Sequence, residues 1–94
     1  MRPMTHALPG ALAELLRGAP LSPGKVNVAW RAAVGSAIDR VSAVRLEGHV
    51  LLVDAANAQW AREINRLSAT VLARLQLFLG TDTVTRLEVR AKQA

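Results

Sequence analysis

The side chain with which this sequence can do most chemistry is arginine. Ten of its twelve basic residues are arginines, and a guanidinium offers five donors in a planar fork that can grip a phosphate through two bonds at once. Arg62, Arg66, Thr70 and Arg74 stand four residues apart, so on one helix they form a single stripe. Such a stripe suits a phosphate backbone, because each contact releases counterions and adds affinity without reading sequence. Arg86, Arg90 and Lys92 would extend that track if the chain returns beside it. Glu63 stands where it can pair with Arg66, so part of the stripe reads equally well as an ordinary solvated helix face. Trp60 also has two readings. It is either a core ring or an exposed ring that stacks on a base or docks a partner.

Acid–base and nucleophilic chemistry find no footing. There are no cysteines, which removes disulfides, thiolate metal sites and a cysteine nucleophile together. His6 and His49 have no companion at metal-ligand spacing. Asp39, Asp54 and Glu63 fall on different elements and make no local acid–base couple. No glycine-rich phosphate loop is present, so no autonomous ATPase is expected. The sequence reads as a binding module, not an enzyme, with no catalytic residue, metal or cofactor.

Composition agrees with that reading. Ninety-four residues, 51% of them apolar, supply one modest core and one domain, 1–94. A net charge of +5 suits a polyanionic partner, although abundant Ala, Arg, Leu and Val also follow from GC-rich coding. The opening run MRPMTHALPGALAELL lacks the apolar stretch of a signal peptide. No apolar run approaches the ~18 residues of a membrane span. A cytoplasmic protein with no membrane partner is expected.

Six elements must position these groups. A first helix over Leu8–Arg17 places Leu8, Leu12, Leu15 and Leu16 on one face, and Gly18 ends it. After the Pro/Gly-rich loop 18–24, Ser22 and Pro23 read as the N-cap and first position of a second helix. Its apolar series Val26, Ala29, Trp30, Ala33, Val34, Ala37 and Ile38 predicts one amphipathic helix with Trp30 at the centre of its buried face. Gly35 interrupts that series, and close helix–sheet approach is the expected reason for it. Two strands follow, Val41–Leu46 and His49–Asp54, joined through Glu47-Gly48. A single long helix, Asn57–Leu79, is expected next, with Asn57 as its cap and Gly80 as an αL terminator. Its buried stripe is Trp60, Ile64, Leu67, Val71, Leu75 and Phe78. The last strand, Val84–Arg90, alternates Leu87 and Val89 against Arg86, Glu88 and Arg90.

The order α-α-β-β-α-β predicts an α+β fold, a small three-stranded sheet with helices covering one face, close to K-homology-like architecture. The third strand can lie parallel to the second or beside the first. Val50-Leu51-Leu52-Val53 leaves aliphatic residues on the far face in either register. Such a face implies a protein contact or a dimer, unless the N-terminal segment covers it. A K-homology nucleic-acid site carries a Gly-x-x-Gly loop, and no two glycines here stand three apart.

The residues of Val28–Arg90, about two-thirds of the chain, resemble the DciA family. The resemblance rests on Trp30-x-x-x-Val34-Gly35, then Gly48 with Val50–Val53, then Trp60-Ala61-x-Glu63-Ile64, Leu79-Gly80 and a final strand ending in arginine. It implies a K-homology-like domain that contacts the replicative helicase DnaB and helps load it on single-stranded DNA. Many members also carry a basic extension, and a function needing one is not expected of residues up to Ala94. The expected activity is that of a replication accessory that contacts DnaB, single-stranded DNA (weakly and without sequence preference), or both. The alternatives are a K-homology-like RNA-binding module and a pure protein-interaction domain.

Overall fold

The computed structural model describes residues 14–92. Helix α1 is seen over residues 14–18. It buries Leu16, whereas Leu15 is 72% exposed, so the expected four-leucine face loses Leu15. Leu8 and Leu12 lie outside the described residues. Gly18 belongs to the helix rather than ending it.

Helix α2 (Pro23–Val34) starts as its sequence requires. Ser22 is extended, its hydroxyl accepts the Lys25 N–H at 3.1 Å, and Pro23 opens the first turn. Val26, Ala29, Trp30 and Ala33 are buried. The predicted single helix through Ile38 is in fact two. Gly35 takes φ 87 and ψ 168, and a short α3 (Ser36–Asp39) follows. That φ is the reason for glycine here. Close approach is not, since a Cβ at Gly35 would meet nothing within 4 Å.

Strands β1 (Ser42–Glu47) and β2 (Val50–Ala55) form an antiparallel hairpin in unbroken register from Ser42↔Ala55 to Glu47↔Val50. Its turn is Gly48-His49, one residue later than expected. Only Gly48 has positive φ, at 60, as in a type II′ turn. The expected strands therefore shift by one, and His49 leaves the strand for the turn. There its carbonyl accepts from the Thr85 N–H at 2.8 Å.

The expected long helix is also two. Helix α4 (Ala58–Arg66), capped by the Asn57 side chain on the Trp60 N–H, ends at Leu67 with φ −95 and ψ 6. Helix α5 (Ser68–Leu79) starts at once. The break lets α4 lie on β2 and β3 while α5 turns to pack on α2. Gly80 ends α5 with φ 99, but its ψ of 148 lies outside the αL region expected for it.

Strand β3 (Arg86–Ala91) pairs parallel with β2, from Val50↔Arg86 to Ala55↔Ala91, and the sheet order is β1-β2-β3. Of the two placements the sequence left open, the chain takes the parallel one. The face toward the helices carries Val44 and Leu46, then Leu51, Val53 and Ala55, then Leu87, Val89 and Ala91. Trp30, 1% exposed, sits among Leu51, Val53, Ile64, Leu75 and Val84 in one buried cluster. Its indole N–H donates to Ser42 Oγ at 3.0 Å, and that hydroxyl donates to the Ile38 carbonyl at 2.6 Å. The only polar atom of the ring is thus satisfied inside the core.

Candidate functional site

The basic residues singled out from the sequence fall into two groups, and the sheet lies between them. Arg62 and Arg66 project from the solvent side of α4, opposite buried Ala61 and Ile64. Arg66 is held by Glu63, through both its Nε and one terminal nitrogen. That hydrogen bond, with the charge behind it, holds the Glu63 carboxyl below the ordinary carboxylate range and the Arg66 guanidinium above its own. Arg74 stands beyond the break at Leu67, so the continuous stripe expected of one long helix is interrupted. Its guanidinium reaches α2 and donates to the Ala33 carbonyl at 3.0 Å. This satisfies an orphan acceptor of the last turn of α2. Trp60 is half-buried and packs against the core from the start of α4.

Arg86 and Arg90 are on the other side. They stand on the sheet face turned away from the helices. The pairing registers arrange that face in three rows across the strands: Ala43, Asp54 and Arg90, then Arg45, Leu52 and Glu88, then Glu47, Val50 and Arg86. Ion pairs run through it, Arg45–Glu47 at 2.9 Å, Arg90–Asp54 at 3.4 Å and Arg86–Glu88 at 3.7 Å, all at least half exposed or nearly so. The expected aliphatic residues are there as Val50 and Leu52, each half-buried. Charged side chains of both signs surround them, so the face is not the open apolar surface the sequence suggested.

Arg40 and Arg45 went unnoticed in the sequence because nothing in their linear spacing marks them. Arg40 follows α3 directly, and it shares an open cleft of about 930 Å³ with Ser42, Asp54, Ala56, Arg90 and Lys92. A smaller groove of about 270 Å³ lies along edge strand β1, lined by Leu21, Pro23, Val26, Val44 and Leu46 among others. Among the described residues, no three His, Cys, Asp or Glu side chains come together as a metal site. His49 lies in the hairpin turn, and His6 lies outside the described residues. No described helix is long and apolar enough to cross a membrane.

Residues 4–89 match the family model described as Dna[CI] antecedent, DciA. The chain belongs to the DciA family. The match takes in the first helix and the loop after it, more than the Val28–Arg90 stretch on which the resemblance was seen. No curated protein and no solved structure matches the chain significantly. The DciA family groups helicase-loader-type accessories of DNA replication. It is associated with the replicative helicase DnaB and is not a known enzyme family.

Proposed function

We propose that this DciA-family chain assists the loading of DnaB in the cytoplasm, by contacting the helicase and by holding single-stranded DNA weakly and without sequence preference. The observation that carries the reading is the family match across residues 4–89. The charge supports its nucleic-acid half. All seven acidic residues lie among the described residues, and the chain still has a net charge of +5. Candidate phosphate contacts are Arg62, Arg66 and Arg74 on the helical side, and Arg86, Arg90 and Lys92 on the other, with Trp60 as a stacking or docking ring. The two basic groups flank the sheet, so a short strand would meet one of them at a time.

The K-homology RNA-binding alternative draws no support from the helix pair that would carry it. A Gly-x-x-Gly clamp joins such helices, whereas α4 and α5 meet at Arg66-Leu67-Ser68. The decisive experiment is co-purification with DnaB from the same host, with and without single-stranded DNA. The expected result is a complex that survives gel filtration and is strengthened by the DNA. No complex in either condition would overturn the helicase reading and leave the RNA-binding and protein-interaction alternatives.

A further inference from the structure

Strands β2 and β3 run parallel and end together, at Ala55 and Ala91, beside the point where β1 begins. The open cleft at that end is lined by three cations from two parts of the chain: Arg40 after α3, and Arg90 and Lys92 at the end of β3. The register Ala43↔Asp54↔Arg90 and the bond from the Lys92 N–H to the Ala55 carbonyl at 2.7 Å bring them together. Among the described residues Asp54 is the one acid in the lining, and it is paired with Arg90. Arg40 and Lys92 take part in none of the ion pairs among the described residues. On the helical side two of the three arginines are engaged, Arg66 by Glu63 and Arg74 by the Ala33 carbonyl, and only Arg62 takes part in none of the ion pairs among the described residues.

We infer that this cleft is the main hold on the phosphate backbone of single-stranded nucleic acid, ahead of the helical arginines. The inference rests on the nucleic-acid half of the proposed function and gives it a place. Between the cations the uncharged lining is Val41, Ser42, Ala43, Ala56 and Ala91, none larger than valine, which leaves room for an extended polyanion. Arg40 and the pair Arg90/Lys92 stand at opposite edges of three strands, roughly 10 Å apart at two strand spacings. A strand of phosphates can therefore lie across the sheet end and be met from both sides. Among the described residues no aromatic ring lines the cleft, so bases find no stacking platform in that lining and the contact reads charge alone.

The test is fluorescence anisotropy of the full chain with a labelled short oligothymidylate over a salt series. Each phosphate neutralised on a single strand contributes roughly −0.7 to the slope of log affinity against log salt. The combined substitution Arg40→Gln, Arg90→Gln and Lys92→Gln is expected to shrink that slope by about 2. Substituting Arg62, Arg66 and Arg74 by Gln is expected to shrink it by less, about 0.7 for the one unpaired charge of Arg62. A second oligomer of the same length but different sequence should bind the parent equally well. The near-ultraviolet tryptophan signal, reporting buried Trp30, checks that both variants remain folded. If the cleft variant keeps the parental slope while the helical variant loses it, the inference is overturned and the nucleic-acid reading stands. If the parent itself binds no oligomer at low salt, that reading falls and the inference with it.

Discussion

Trp30 is the largest fully buried side chain among the described residues and its one polar atom is satisfied, so its two contributions can be measured apart. Trp30→Ala removes the ring from the junction of α2, β1 and β2, and is expected to cost about 3–5 kcal/mol. For a domain of this size, whose net stability is typically ~5–10 kcal/mol, little folded protein would remain. Trp30→Phe keeps most of the packing and removes the donor to Ser42 Oγ. It should cost less than the alanine variant, but more than its lost area alone, because Ser42 forfeits a buried partner. Equal melting temperatures for Trp30→Ala and the parent would mean that this face of α2 is not buried. Glu63 offers a gentler test. Its folded carboxyl is held below the ordinary range by Arg66, so its small stabilising effect is present above that range and fades as pH falls through the lowered value. The side-chain carboxyl resonance should titrate below that of an ordinary glutamate and return to the usual range in Arg66→Gln. An unchanged midpoint in that variant would show that the pair does not form in solution.

Both long helices expected from the sequence proved to be broken, for different reasons. The apolar period runs straight through Gly35, since Val34 and Ile38 both pack on the core. The hydrophobic pattern therefore could not disclose the break, and only the glycine hinted at it. Gly35→Ala is expected to cost about 1–3 kcal/mol from backbone strain alone, because nothing crowds the new methyl group. Gly18→Ala, within α1 and equally uncrowded, should instead stabilise by about 0.4–1 kcal/mol. Thermal unfolding of the two variants should move in opposite directions, and a shift in the same direction would contradict the assigned backbone at Gly35. At Leu67 no residue hints at the break. No glycine or proline marks Arg66-Leu67-Ser68, and the spacing Ile64, Leu67, Val71 continues unbroken on the buried side. The bend comes from tertiary demand, with α4 lying on the sheet and α5 on α2. Caps and alternation were legible because they are local: Ser22, Asn57, and Leu87 and Val89 against Arg86, Glu88 and Arg90. The cleft was only half legible: Arg90 and Lys92 stand two residues apart at the end of the last strand, but Arg40 becomes their neighbour only through the sheet.

At the scale of the whole molecule, the family to which the chain belongs is not a known enzyme family. Purified protein is accordingly expected to show no ATPase, nuclease or hydrolase turnover, and nucleotide hydrolysis that follows the protein through a final sizing column would refute this. The sheet itself sets an order of events. Strands β1 and β2 meet through a two-residue turn, whereas His49 and Thr85, which bring β3 alongside, are 36 residues apart. Closing the longer loop costs more chain entropy before any contact repays it. The hairpin can therefore form early, while the central strand waits for a neighbour made last. On the ribosome, where synthesis proceeds at about 5–20 residues per second, the nascent chain would spend seconds with the β3-side edge of β2 unpaired. An exposed edge of Val50-Leu51-Leu52-Val53 invites pairing with another copy. Val44→Ala in the hairpin should then mainly slow folding, and Leu87→Ala in β3 mainly speed unfolding. The chain is most open to aggregation not when it unfolds but while it is being made.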